Sequence, residues 1–404
     1  MKITVVSIFF PPDTGAPAPR LLNMSKALKN NGADIDVITA LPNYPTGRIF
    51  DGYRGKVFVK EEVDGILAKR YWLYPSNSKS KVVRVFSMLS FSFSLCFAFF
   101  GLRRRKPDVV IVNSPPLLVG LSGVLIGRLA GAKVVTNIAD IWPLTALELG
   151  AMRKGLFYSF FKWIEKIMYK YSNYFLTQSG ETQAYLEKKT AKPVFLYRNL
   201  TPGSDYIMQT PDYDRKQLKV IYAGLLGFAQ GVAQLCKAID FKALDIEFHI
   251  YGNGMQREEI EEYIQSNDTN IFYHGEVSRN EVPKILSDFH ATVIPLTHHI
   301  YGAFPSKISM AISSGLPIFF SGEGEGRKFV VENKIGWACG ASDYEALYKN
   351  LEYFSKLNEQ EYNEIRNNCI NLSQHDFNFD VQQEKLNHFL QQITGVSEEI
   401  NSDV

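Results

Sequence analysis

Twice along its 404 residues the chain repeats one order: an apolar run, a loop rich in glycine or proline, an amphipathic stretch, and another apolar run. KITVVSIFF (residues 2–10) is continuously apolar after its first lysine, as in a parallel strand covered on both faces. PPDTGAPAP follows as a loop, and RLLNMSKALKNNG places Leu21, Leu22, Met24, Ala27 and Leu28 at helical spacing before Gly32 ends the helix. ADIDVITAL then reads as a second strand, completing a strand–helix–strand unit. PDVVIVNSPP and AKVVTNIADIWP extend the series, and LKVIYAGLLG, IEFHIYGNG, NIFYHGEV and HATVIPL restart it in the second half, with QREEIEEYIQ and RNEVPKILSDF as helices between. The fold class is α/β: two doubly wound, Rossmann-like domains, whose strand-end loops are expected to face a cleft between them. The expected boundaries are 1–195, 196–374 and a C-terminal helix at 375–396, with the tail from Asn401 frayed.

Charge divides at the same place as the pattern. Residues 1–190 hold 26 Lys and Arg against 13 Asp and Glu, a net of +13, and the rest hold 18 against 29, a net of −11. A basic half points to a partner with negative charge, such as a membrane surface, a phosphate ligand or nucleic acid. Four well-separated cysteines, without a CxxC pair, read as free thiols in a reducing compartment. The first apolar run is cut by Pro11 and Pro12, so it reads as a buried strand and not as a signal peptide.

Residues 82–106 stand apart. No charge occurs from Val85 to Phe100, and Arg103, Arg104, Arg105 and Lys106 follow at once. Ser87, Ser90 and Ser94 share one helical face, opposite a broad Phe/Leu face. The uncharged run falls short of the roughly 20 residues of a spanning helix. It reads as a core helix on the first sheet, as a helix in or on a membrane with its basic end at acidic headgroups, or as a true span.

For phosphate chemistry, PPDTGAPAPR is not GxGxxG, no GxxxxGK[ST] occurs, and YGNGMQR lacks a third glycine. FPSKISMAI is stronger. Ser306 and Lys307 open a helix, where unpaired N–H groups and the helix dipole attract phosphate, and the lysine adds a point charge. Gly224 and Gly227 in AGLLGFAQG follow a strand and permit close backbone approach. Asp140 ends a strand before Trp142 and Pro143; it reads either as a helix cap or as a group that orients or deprotonates a hydroxyl. His298 and His299 have no metal-ligand spacing and read as loop residues that touch a ligand.

FPPDTGAPAPRLLNMSKALKNNGADIDVIT, PDVVIVNSPPLLVG, DIWP, VIYAGLLGFAQG, FHIYGNGMQREEIEE, FYHGEVSRNEVPKIL and YGAFPSKISMAISSGLPIFFSGEGEG, in this order, resemble the retaining nucleotide-sugar glycosyltransferases of family 4, with the GT-B fold. The subgroup resembled builds capsule and O-antigen repeat units and includes N-acetyl-L-fucosamine transferases. The resemblance implies a UDP-sugar donor bound by the C-terminal domain. The main chain from Gly275 through Val277 to Arg279 would meet the base. Ser306 and Lys307 would hold the diphosphate, with Gly227 and Gln230 near it, and Ala303 and Phe304 would also belong to the donor site. Gly15 would lie against donor phosphate or acceptor, and Asp140 near the reacting hydroxyl. The last helix would cross back to the first domain. The acceptor would be a lipid-diphosphate saccharide at the cytoplasmic face of a bacterial inner membrane, which suits the phenylalanine-rich segment and an anionic membrane surface.

The chain departs from the family pattern at the two glutamates that flank the phosphate loop. Their positions hold Gly302 and Met310, and Glu323, Glu325 or another group would have to replace a carboxylate. Position 230 is Gln where many members have Lys. No DxD-type motif appears, so metal independence is expected and no cofactor beyond the donor. Two other readings stay open: a non-catalytic scaffold of a polysaccharide assembly complex, which the two missing carboxylates favour, and a sugar-nucleotide epimerase. Nucleic-acid binding explains the basic half but not the paired α/β domains.

Overall fold

The computed structural model describes residues 1–15, 17–78, 80–200, 202, 213, 218–278 and 281–395, with the backbone alone at 81 and 82. The chain divides into two compact units: Met1–Thr201 with Asp380–Val404, and Pro202–Phe379. The tail from Asn401 lies outside the described residues.

In the first unit eight strands run β1 (Lys2–Val6), β2 (Asp34–Ala40), β3 (Phe58–Val63), β4 (Ile66–Tyr71), β5 (Val109–Ser114), β6 (Lys133–Ile138), β7 (Tyr174–Thr177) and β8 (Val194–Leu196). Their order in the sheet is β3-β4-β2-β1-β5-β6-β7-β8, parallel except for the β3–β4 hairpin. The helices are α1 (Pro17–Asn30), α2 (Lys81–Arg105), α3 (Leu117–Leu129), α4 (Leu144–Glu148), α5 (Leu156–Tyr171) and α6 (Gly180–Lys189). Val109, Val110, Ile111 and Val112 are all fully buried, which explains why β5 reads as a continuous apolar run. The alternating pattern of Phe58–Tyr71 and its Asp64-Gly65 turn, both at positive φ, mark a hairpin that the strand–helix reading did not include.

In the second unit the strands are β9 (Leu218–Ala223), β10 (Ile246–Tyr251), β11 (Ile271–Tyr273), β12 (Ala291–Pro295), β13 (Ile318–Ser321) and β14 (Gly336–Cys339). All are parallel, in the order β11-β10-β9-β12-β13-β14. This is the doubly wound Rossmann order, and its switch point lies between β9 and β12. The helices are α7 (Val232–Ala238), α8 (Arg257–Ser266), α9 (Val282–Leu286), α10 (Ser306–Ser313), α11 (Glu325–Glu332), α12 (Tyr344–Ser355) and α13 (Glu359–Gln374). Asn358 and Glu361 form a capping box at the start of α13.

The last helix, α14 (Phe379–Thr394), packs on the first sheet. Leu386 and Leu390 are buried beside Ile3, Val5 and Ile111. Gln382 Oε1 accepts the Arg198 N–H at 2.7 Å, its Nε2 donates to the Arg198 carbonyl at 2.8 Å, and Gln383 Nε2 donates to the Tyr197 hydroxyl at 2.7 Å.

Helix α2 is longer than its uncharged run: 25 residues without an acidic side chain. Val83–Arg105 is long and apolar enough to cross a membrane, by length and composition alone. Its serine face is the inner one. Ser87, Ser90 and Ser94 are buried with Phe91, Leu95, Ala98 and Leu102, while Phe86, Leu89, Phe93, Phe97 and Phe100 are exposed. The Ser90 hydroxyl accepts the Tyr74 N–H at 2.7 Å and donates to the Ser87 carbonyl at 2.7 Å, so the inward hydroxyl is satisfied.

Candidate active site

In the second unit the site residues gather at the switch point. Ala223 ends β9, and Gly224 follows with φ +149°. The Gly224 N–H donates to the Tyr251 carbonyl at 2.9 Å, and the Leu226 N–H to the Asn253 carbonyl at 2.9 Å. The loop after β9 therefore lies against the loop after β10. A Cβ at Gly252 would come 1.8 Å from the Gly224 oxygen, and one at Gly254 would come 2.4 Å from the Leu226 oxygen. The two glycines of YGNG are thus spent on packing loop against loop. On the other side, the Thr297 N–H, just past β12, donates to the Ala229 carbonyl at 2.9 Å.

Lys307 lies across this platform. Its Nζ stands 3.7 Å from the centre of the Tyr222 ring, and a Cβ on Gly224 would fall 2.5 Å from its Cε. Pro305 is the residue before α10, in an extended conformation, so Ser306 and Lys307 occupy the first two helical positions. Their N–H groups have no partner within the helix. Burial pushes the Lys307 ammonium down to about 7. Among the described residues no carboxylate lies within ion-pair distance of it. A half-buried cation on an aromatic floor, at a helix start, is a seat for an anion.

The carboxamide of Gln230 lies over Gly227, where a Cβ would meet its Oε1 at 2.8 Å. That oxygen is buried without a hydrogen-bond partner. Gly275 follows β11 with φ +80°, and its carbonyl accepts the Gly252 N–H at 2.7 Å. Val277 is half-buried beyond it, and Arg279 lies outside the described residues.

Further candidate positions lie in the same unit. Phe304 packs edge-on against Phe329 at 5.3 Å and also meets Phe377, so its ring anchors the loop. Ala303 and His299 are exposed, the histidine with its ring 6.3 Å from Tyr301. Within the glycine run Glu325 opens α11, and Gly324 before it has φ +82°. Glu323 pairs with Arg327 at 3.0 Å, because one helical turn brings the guanidinium back over it. Met310 is half-buried on the second turn of α10, and Gly302 is buried with φ +85°. No cluster of three or more metal-ligating side chains occurs among the described residues.

In the first unit Asp140 follows β6 by two residues. It is exposed, yet the protein around its carboxyl raises its pKa, and the charge of Arg20 opposes that rise. Gly15 precedes α1 beside the Tyr44 ring. In the sequence Arg20 does no more than open the helical pattern RLLNMSKALKNNG. Its side chain is buried, donates to Asn113 Oδ1 at 3.4 Å, and leaves Nε without a partner. Asn137 Nδ2 donates to the same Asn113 oxygen at 3.0 Å, and Asn137 Oδ1 and Gln383 Oε1 are also unpartnered. Polar residues at strand ends, as in IVNS and TNIAD, were the available signal.

Residues 205–373 match the family of glycosyl transferases group 1, and residues 15–194 match the glycosyl transferase 4-like domain. The chain belongs to the group 1 glycosyltransferases. The putative colanic acid biosynthesis glycosyl transferase WcaI of Escherichia coli K12 is 31% identical over 155 residues, 38% of each chain. The probable glycosyltransferase WbjE of Pseudomonas aeruginosa is 21% identical over 70% of this chain and 75% of its own. Among solved structures, the sucrose-phosphate synthase of Thermosynechococcus elongatus superposes with a TM-score of 0.72 at 14% identity, over 98% of this chain and all of that one. HepE of Anabaena, in complex with UDP, gives 0.67 at 12%, over 97% and 100%. These superpositions establish the GT-B fold of this glycosyltransferase.

Proposed function

We propose that this glycosyltransferase moves a sugar from a UDP-sugar to a lipid-diphosphate-linked saccharide during assembly of a capsule or O-antigen, with retention of configuration. The donor sugar is an N-acetylated hexosamine or deoxyhexosamine. The unpaired ammonium of Lys307 at the start of α10 carries the reading. A diphosphate there restores the lysine's charge and accepts the free N–H groups of Ser306 and Lys307. Turned about its amide, Gln230 presents an N–H to the same diphosphate in place of a lysine. The relatives named for colanic acid and glycosyl transfer support the polysaccharide context, and the UDP complex of HepE supports the nucleotide.

In the transfer, the bond from the anomeric carbon to the diphosphate oxygen breaks and UDP leaves. The acceptor hydroxyl forms the new bond on the same face. Its proton passes to the leaving phosphate oxygen, whose charge Lys307 offsets. Asp140, in the first unit, is assigned to orient the acceptor hydroxyl. The apolar residues of α2, with Arg103 and Arg104, bring the protein to the cytoplasmic face of the inner membrane, where its acceptor resides.

Gly302 and Met310, where carboxylates were expected, favour one second reading: a scaffold that binds nucleotide without turnover. Calorimetry with UDP and a panel of UDP-N-acetylhexosamines tests both. Micromolar binding with one sugar favoured, and turnover with a lipid-diphosphate acceptor, supports the transferase. UDP binding without turnover supports the scaffold, and no nucleotide binding removes the enzyme reading.

A further inference from the structure

Three helices cover one face of the first sheet, with α3 touching both α2 and α5. Two of them are built with small residues inward. On α3 a Cβ at Gly123 would fall 2.8 Å from Val112, and one at Gly127 3.0 Å from Val134, so glycine lets the helix press onto the sheet. Its outer face carries Leu125 and Leu129, both exposed. On α2 three serines, Ser87, Ser90 and Ser94, join Phe91, Leu95, Ala98 and Leu102 on the inner side, while Phe86, Leu89, Phe93, Phe97 and Phe100 lie on the outer side. On α5 Phe161, Ile164 and Met168 are buried, while Leu156 is 93% exposed, Trp163 58% and Phe160 50%. Large apolar side chains thus stand exposed on three neighbouring helices, a grouping that marks an interaction surface.

On the three helices themselves the exposed charge has one sign. α2 and α3 carry no acidic residue, and the one glutamate of α5, Glu165, is buried, accepting from Lys162, Tyr169 and Tyr185. Arg103, Arg104 and Lys106 are exposed at the end of α2, and Arg153, Lys154, Lys166 and Lys170 flank the aromatic stripe of α5. Phenylalanines and tryptophan inside a basic border match an anionic bilayer: acyl chains for the rings, headgroups for the cations.

We propose that the outer face of α2, α3 and α5 docks as one unit on an anionic lipid bilayer, with α2 lying in the membrane plane and not crossing it. It rests on the membrane reading above and deepens it by adding α3 and α5 and by fixing the orientation of α2. A crossing helix would have to leave the sheet, stripping cover from Phe91, Leu95, Ala98 and Leu102, which are buried against it.

Cys96 is exposed on α2 and the other three cysteines are buried, so one background change, Cys96→Ser, clears the surface for labelling. Single cysteines then replace Phe86, Phe93, Phe100 and Phe160 in the full chain, each carrying an environment-sensitive fluorophore. On vesicles of phosphatidylglycerol and phosphatidylethanolamine, brominated lipids should quench all four labels at one shallow depth. A depth that rises and falls along 86, 93 and 100 would mean a crossing helix and overturn the proposal. In flotation, Phe160→Ser with Trp163→Ser should lower vesicle binding about tenfold or more, with UDP binding unchanged as the check on folding. Unchanged flotation would remove α5 from the surface. Sedimentation that shows a dimer shielding all four labels without lipid would assign the face to a second copy instead. Loss of UDP binding in the unaltered chain would count against the transferase reading alone.

Discussion

The Nζ of Lys307 sits 3.7 Å from the centre of the Tyr222 ring, and the Tyr222 hydroxyl is turned away to donate to the Leu225 carbonyl. The ring therefore offers its face, which tolerates an ammonium but does not neutralise it. Burial then dominates, and the lysine falls to about 7 from its ordinary 10.5. A lysine kept in this state costs stability in the empty protein and is restored by an anion.

Two outcomes follow from that lysine for stability. Its folded pKa lies below its unfolded one, so between about pH 7 and 10.5 the unfolded chain holds more protons. Stability from this group therefore rises with pH across that window, and its full cost is felt below pH 7. Without ligand, Lys307→Met should melt higher than the parent at pH 6.5, and the gap should narrow by pH 9. Melting curves at the two pH values measure this; a gap that widens with pH would contradict it.

For binding the sign is the reverse. UDP needs the ammonium, so UDP affinity should fall as pH rises above 7, with proton uptake on binding. Calorimetry in two buffers of different ionisation enthalpy counts that proton. Lys307→Met should abolish both the uptake and most of the affinity.

Gly224 and Gly252 separate ligand effects from folding effects. Alanine at Gly224 meets the far end of the flexible Lys307 side chain, at a φ of +149°. It should weaken UDP binding while costing about 1–3 kcal/mol of stability. Alanine at Gly252 meets a backbone oxygen at 1.8 Å, which cannot move alone. Gly252→Ala should therefore destabilise the second unit more than Gly224→Ala does, and paired melting curves with UDP titrations rank the two.

Much of this was legible in the sequence, because strand–loop–helix order and continuous apolar runs determine doubly wound sheets. The candidate donor residues Gly224 and Gly227 were legible because they follow a strand, and Ser306 and Lys307 because they open a helix behind a proline. Other features depend on contacts that periodicity does not carry. Spacing put Ser87, Ser90 and Ser94 on one face of a helix but not on the inner face. The Glu323–Arg327 pair needs α11 to begin inside a glycine run. Arg20 reaches Asn113, 93 residues away, and α5 hides a surface stripe within an ordinary amphipathic pattern.

The inward serines lead to a stability contrast. Ser94 is buried in a packed layer, so Ser94→Leu should overpack it and cost about 1–3 kcal/mol. Phe93, its neighbour in sequence, points outward, and Phe93→Ser should change stability by no more than about 0.5 kcal/mol. Urea titration of both variants in the absence of lipid decides it, and the reverse ranking would mean that the phenylalanine face is the buried one.

Asp140 and Arg20 give the last outcome. Although Asp140 is exposed, desolvation by the protein beside its carboxyl raises it above its ordinary range, and the buried Arg20 charge limits that rise. The carboxyl, with its raised pKa, loses its charge as pH falls, so transfer should show an acid limb set by that group. Arg20→Gln removes the opposing charge and should move the acid limb to higher pH, whereas a purely structural role for Arg20 would lower the rate without moving the limb. Asp140→Asn should remove the limb and reduce turnover while leaving UDP binding unchanged, since the donor residues belong to the other unit. A pH–rate profile for the three proteins, taken with a UDP titration of each, tests these expectations together; an acid limb that survives in Asp140→Asn would assign it to another group.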